Sequence, residues 1–182
     1  MNLDHVFIEL GLSDDNIAVA SVTGMAAVRT DRKGKVLAAY SDSVSHSTRP
    51  NTKDGIDRLY EGLSDALIKP YPAQYVVIAQ HANAYKQAVG ENCFRGKAWL
   101  DIAQLAWPLG YCDMISNRDL DTLCKHFSIA IDSEGTMSGN CEALVRVYWA
   151  MINRYRVALI GEEAIRDIGG ESLAKVRKFF SL

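Results

Sequence analysis

A chain of 182 residues and 20.1 kDa suits one domain with a short appendage. At that size about 70% of the unfolded surface can be buried, so a core forms without disulfide or metal staples. Hydrophobic residues at 48% and charged residues at 23% exclude wholesale disorder, collagen and coiled coil, and a net charge of −2 does not favour tight generic nucleic-acid binding.

Val6 to Leu10 is a short apolar run interrupted by Glu9 and reads as a buried strand. Ile17 to Arg29 reads as a second strand, Asp31 to Gly34 as a turn, and Lys35 to Tyr40 as a third strand. Together they make a β-meander. Ser41 to Thr52 is polar and reads as a loop. From Asp54, the residues Ile56, Leu59, Tyr60, Leu63 and Leu67 follow helical spacing, which Pro70 and Pro72 end. Tyr75 to Ala79 is the most strand-like run and is expected at the sheet centre. His81 to Val89 reads as helix, Lys97 to Asp101 as a short strand, and Ile102 to Trp107 as a helix stopped by Pro108. Asp119 to Phe127 and Ser138 to Ile152 are two more helices. Val157 to Ile160 reads as an edge strand or a linker, and Glu162 to Phe180 as two short helices broken at Gly169-Gly170.

A meander followed by alternating helices and strands predicts a mixed α/β sheet flanked by helices. The first three strands are expected to pair antiparallel and the later ones parallel, through crossovers. Residues 1–157 would form this domain and 158–182 a C-terminal helical extension. No apolar run reaches the ~18 residues of a membrane span, so no membrane partner is expected. The N-terminus lacks the basic segment of a secretory signal. Cys93, Cys112, Cys124 and Cys141 are dispersed without CxxC spacing, as are His5, His46, His81 and His126. Reduced, partly buried thiols in a cytoplasmic protein are the expectation, with no dedicated zinc site.

Several local sequences occur in the order found in one family. Phe7-Ile8-Glu9-Leu10-Gly11 stands where that family ends its first strand in Asp-x-Glu. Gly24-Met25-Ala26-Ala27-Val28-Arg29 matches its second strand. Val76 to His81, followed by Ala82-Asn83-Ala84-Tyr85-Lys86, matches a strand leading into His-Asn-Ala-x-Phe-Asp. Leu100-Asp101-Ile102 stands for its Asp-Thr element, and Leu120 to Ile129 for Leu-x-x-Leu-Cys-x-x-Phe-x-Ile. Gly135 to Cys141, running on to Val147-Tyr148, stands for His-x-Ala-x-x-Asp-Ala. Over roughly residues 4 to 155 the chain thus resembles the DEDDh 3′–5′ exonucleases of the proofreading-subunit type.

The resemblance implies an RNase H-like fold and a two-metal hydrolysis of the terminal phosphodiester, with ions ~3.5–4 Å apart. Four acids neutralise that charge and a histidine serves as general base. Here the corresponding positions carry Glu9, Gly11, Lys86, Asn140 and, for the histidine, Gly135. Glu9 is the only retained acid, and the pocket moves from about −4 to about 0, each charge pair counting for about 4 kcal/mol at ~4 Å. No metal or other cofactor is expected at this pocket.

The implied function is therefore an exonuclease-fold protein that has lost two-metal catalysis and binds nucleic acid or a partner protein. Single-stranded nucleic acid or a nucleotide is the ligand class, with His81, Asn83 and Lys86 as candidate contacts. An ion pair between Glu9 and Lys86 would replace the metals. A second reading is an active enzyme using Mg²⁺ or Mn²⁺, with Asp14, Asp101 or Glu142 joining Glu9. A third is a regulatory module acting through the tail, where Leu173, Val176, Phe179 and Phe180 share a helical face beside Lys175, Arg177 and Lys178; a homodimer would use the same face. Small stand-alone degenerate enzymes also suit a viral origin. Trp99, Trp107 and Trp149 read as packing residues. Arg29, Arg32, Lys33 and Lys35 read as a basic hairpin tip, solvated or contacting a nucleic-acid backbone.

Overall fold

The computed structural model describes residues 3–14, 21–44, 53–89, 93–106 and 119–160 other than 132 and 134, with 53–54 and 155–160 described as backbone alone. Strand β1 (Leu3–Leu12) is the axis of the sheet. Val6, Phe7 and Ile8 are fully buried, as a strand covered on both faces requires. It pairs antiparallel with β2 (Val22–Thr30), which pairs antiparallel with β3 (Val36–Ser43). On its other side β1 runs parallel to β4 (Gln74–Ala79), which runs parallel to β5 (Trp99–Asp101). The spatial order is β3-β2-β1-β4-β5, a mixed sheet of five strands.

Helices flank it on both sides. Helix α1 (Lys53–Leu63) ends in a π-helical turn at Ser64–Ile68 and joins α2 (Ala82–Val89) on one face, where Leu59, Leu63 and Leu67 meet Val6, Ile8 and Leu10. Short α3 (Ile102–Ala106), α4 (Leu120–Phe127) and α5 (Met137–Ile160) cover the other, where Cys141, Leu144 and Tyr148 meet Phe7 and Val28. Among the described residues, no helix is long and apolar enough to cross a membrane. Cys93, Cys124 and Cys141 are buried free thiols, and burial pushes those of Cys93 and Cys124 up to about 11. Cys112, His46 and Trp107 lie outside the described residues.

Several expectations need correction. Arg29 is not part of a basic hairpin tip: it is fully buried. Its Nε and Nη2 donate to Asp4 Oδ2 at 3.0 and 2.6 Å, Nη1 to the Leu67 carbonyl at 2.8 Å and Nη2 to that of Ala73 at 2.9 Å. The rings of Tyr71 and Tyr75 lie 5.1 and 5.3 Å from its guanidinium carbon. This fork ties β1 and β2 to the segment leading into β4, and it needs the planar, multiply donating geometry of arginine. Only Arg32, Lys33 and Lys35 stay exposed at the turn, where Asp31 Oδ1 accepts from the Lys33 and Lys35 amides at 2.8 and 2.9 Å. Ser41–Ser43 continue β3 rather than starting a loop, because a strand's edge residue pairs through backbone whatever its side chain. Val157–Ile160 is neither strand nor linker but the last turn of α5. The two tail helices and most of the extension expected from residue 158 lie outside the described residues. Trp99 and Trp149 do pack as core: Trp99 stands edge-on to Phe94 at 5.5 Å, and Trp149 lies against Gly34, where a Cβ would approach its ring to 2.9 Å.

Candidate functional site

The pleat of β1 turns Phe7, Glu9 and Gly11 toward one face, and α5 lies along that face. Four contacts mark its course. Tyr148 meets the Phe7 ring edge-on at 5.3 Å, and Cys141 Sγ donates to the Phe7 carbonyl at 3.6 Å. Asn140 Nδ2 donates to Glu9 Oε1 at 3.5 Å. Met137 covers Gly11: a Cβ there would stand 2.7 Å from its Sδ, and a Cβ on neighbouring Gly24 2.5 Å from its Cε. Thr136 fixes this placement as the N-cap of α5, its Oγ1 accepting from the Gly139 amide at 3.0 Å. The first turn of α5 therefore presents Met137 and Asn140 to the end of β1.

Register with β4 stops at Phe7↔Ile78, so the last residues of β1 project past the parallel strands into a crevice. Such crevices at the carboxyl ends of strands are the usual ligand sites of open α/β sheets. From α2, buried Tyr85 closes the crevice. Its hydroxyl bonds to Glu9, and it accepts from the Leu10 amide. Burial raises the Glu9 carboxyl to about 7, only partly offset by the bonds from Asn140 and Tyr85. Burial, followed by the charge of Glu9, likewise pushes the Tyr85 phenol up.

The beginning of α2 is already served by an acid. Asp101, at the end of β5, accepts from the Ala82 amide through Oδ2 at 3.0 Å and from the Ala103 amide through Oδ1 at 2.9 Å. His81 is the capping residue by backbone alone: its carbonyl accepts from the Tyr85 amide at 3.0 Å, at a φ of 58°, and its side chain is exposed. Asn83 and Lys86 are exposed on the same helix. Glu9 and Lys86 form no ion pair among the described residues, contrary to the sequence expectation. Lys86 follows Tyr85 directly, so it stands about 100° around the helix from the side chain that reaches Glu9.

Glu9, Gly11 and Asn140 thus come together, Lys86 faces outward, and Gly135 is an exposed turn residue at a φ of 79° with open space around it. Of the three alternative acids, Asp101 is taken by backbone amides and Asp14 is exposed beyond β1. Glu142 is exposed two residues past Asn140, about 200° around α5 from it, on a groove shared with Ala39 and Ser41 of β3. Among the described residues, no three His, Cys, Asp or Glu side chains converge as a ligand set. Sequence reasoning missed Tyr85 and Met137. Tyr85 occupies the aromatic position of the family's second motif, which was a usable signal; no residue-type signal marks Met137.

No protein-family model matches the chain, and no curated protein sequence does. Solved structures are similar. Escherichia coli exonuclease I bound to an oligonucleotide superposes with a TM-score of 0.61 at 12% identity, over 86% of this chain and 41% of that one. Exonuclease I from Methylocaldum szegediense gives 0.61 and 12%, over 85% and 41%. An ExoI/SSB-Ct complex gives 0.62 and 12%, over 86% and 42%. The chain spans about two-fifths of the length of these exonucleases. A mixed sheet with an antiparallel meander on one side and parallel strands on the other agrees with that likeness: the chain has the RNase H-like exonuclease fold.

Proposed function

We propose that this protein keeps the exonuclease fold as a binding module and has lost two-metal phosphodiester hydrolysis. One observation carries the reading. At the end of β1 Glu9, the single carboxylate there among the described residues, is buried and bonded to an amide and a phenol, while the Met137 thioether fills the space over Gly11. Two divalent ions bring four positive charges and require hard, ionised oxygen ligands. One carboxyl, a carboxamide, a phenol and a soft thioether do not fit them. The pocket's donors instead suit neutral hydrogen bonding. Single-stranded nucleic acid is the proposed ligand class, supported by the fold and by the oligonucleotide complex of its structural neighbour.

The test is calorimetric titration of Mg²⁺ and Mn²⁺ into the full chain, with digestion of a 3′-end-labelled single strand on the same sample. A fluorescent oligonucleotide titrated without metal completes it. The expected result is no metal heat, no nucleotide release, and oligonucleotide binding that weakens with salt. Metal binding with stepwise release would overturn the loss of catalysis. Absence of oligonucleotide binding would overturn the ligand class.

A further inference from the structure

Among the described residues β3 is an edge of the sheet, and the middle of that edge is unpaired. The Val44 amide donates to the Thr23 carbonyl at 2.8 Å, so the even residues of β3 bond to β2 and the odd ones turn their amides and carbonyls outward. Both ends of the outward row are taken. The Leu37 carbonyl accepts from the Tyr71 hydroxyl at 2.8 Å, the Ser43 carbonyl accepts from Arg58 Nη2 at 3.4 Å, and the Ser43 amide donates to Asp42 Oδ1 at 2.8 Å. Between them, the amides and carbonyls of Ala39 and Ser41 bond to nothing among the described residues. Opposite pairs share a face, so Ala39 and Ser41, paired with Val28 and Ala26, lie on the α5 side, and both are exposed. There they line a groove of about 190 Å³ whose far wall is Ser138, Cys141 and Glu142 of α5. Glu142 is the one charged residue of that lining; it is exposed and in no ion pair among the described residues.

We infer that this edge binds an extended basic segment of a partner protein as an added antiparallel strand, with a cationic side chain lying in the β3–α5 groove against Glu142. The surface uses Ser138 and Glu142 of α5 rather than the Met137 and Asn140 that face the end of β1, so it stands apart from the ligand proposed there. Backbone selects the strand. A three-residue antiparallel segment meets all four unpaired groups of Ala39 and Ser41, whereas a parallel one of that length meets two. Register then selects the side chains. Residues opposite Ala39 and Ser41 project over the groove, and the one between them lies beside Tyr40 on the α1 face. A cavity of about 150 Å³ admits benzene, so the groove holds the four-carbon stem of a lysine, with its ammonium at the Glu142 carboxylate. A second copy of this chain fits less well. Two-fold pairing about Tyr40 sets Ala39 against the second copy's Ser41, side chains too small for the groove, and brings both Glu142 carboxylates to one face of the joined sheet.

The probe is a fluorescein-labelled peptide, Thr-Val-Lys-Val-Lys-Val-Thr, titrated into the full chain by anisotropy, with amide exchange at Ala39 and Ser41 followed by NMR. The expected result is saturable binding that slows exchange of those two amides about tenfold or more. Ser41→Pro removes an outward amide that the β2 ladder does not use, so the edge tolerates it, and it should weaken binding about tenfold or more. Glu142→Gln should also weaken binding, and so should N-methylation of the two peptide lysines, which keeps their charge and leaves the protein untouched. No saturable binding, or binding unchanged by N-methylation, would overturn the inference, the latter because charge alone would then hold the peptide. Binding unchanged by Glu142→Gln would overturn the groove contact. A chain that sediments as a dimer, and as a monomer once it carries Ser41→Pro, would overturn the choice of occupant, because a second copy would then hold the edge.

Discussion

Glu9 shows how one residue's surroundings decide its chemistry. Its carboxyl rises from 4.5 to about 7 because burial penalises the charged form more than Asn140 and Tyr85 support it. The folded value is the higher one, so the native state holds its proton across a range where the unfolded chain has released it. The contribution to stability is complete below about pH 4.5 and is lost as pH rises through 7. Over that window it amounts to about 3 kcal/mol. Glu9→Gln keeps an acceptor for Tyr85 and cannot ionise. Urea unfolding at pH 5 and pH 8 should therefore show the variant losing about 2.5 kcal/mol less than the native chain, since part of the contribution is already gone at pH 5. Equal losses in the two proteins would mean that Glu9 is ionised in the fold. Nothing in the sequence reveals this shift, because its causes come from α2 and α5, far along the chain. What the sequence does reveal is that position 9 carries an acid at the end of a buried strand.

Elements were legible wherever their side chains repeat and illegible where backbone or a distant partner decides. Val76-Val77-Ile78 announces a central strand, and the spacing of Leu59, Leu63 and Leu67 announces a helix face. By contrast, Ser41–Ser43 extends β3 because β2 offers a ladder, and Val157–Ile160 stays helical despite a β-branched and apolar composition because α5 propagates into it. Arg29 reads as surface charge until Asp4, 25 residues away, supplies its buried partner. The junction of β5, α2 and α3 has the same character. Asp101 binds two otherwise orphaned helix-start amides, so Asp101→Ala should cost about 2–3 kcal/mol, read as a lower urea midpoint with unchanged slope. Asp101→Asn retains one acceptor oxygen and should recover part of the loss. A neutral Asp101→Ala would show that water serves these amides equally well.

At the scale of the whole molecule, scaffold and site chemistry separate. The sheet order, the run of β1 past its pairing with β4 and the seating of α5 on β1 rest on apolar pattern and caps, not on the charges at the crevice. If a shortage of carboxylates alone keeps divalent ions away, supplying carboxylates on this scaffold should admit the ions. Gly11→Asp by itself collides with Met137, whose Sδ lies 2.7 Å from the incoming Cβ, so it must be combined with Met137→Ala. Adding Asn140→Asp gives three acids including Glu9, while Lys86 faces outward and is left as it is. Without metal these acids repel one another, and the variant should melt below the native chain at neutral pH. Mn²⁺ at about a hundred times its dissociation constant would then contribute about 2.7 kcal/mol and raise the melting temperature of the variant but not that of the native chain. No Mn²⁺-dependent shift in the variant would mean that charge is not what the crevice lacks. An equal shift in both proteins would mean that the native crevice binds metal through Glu9 as it stands.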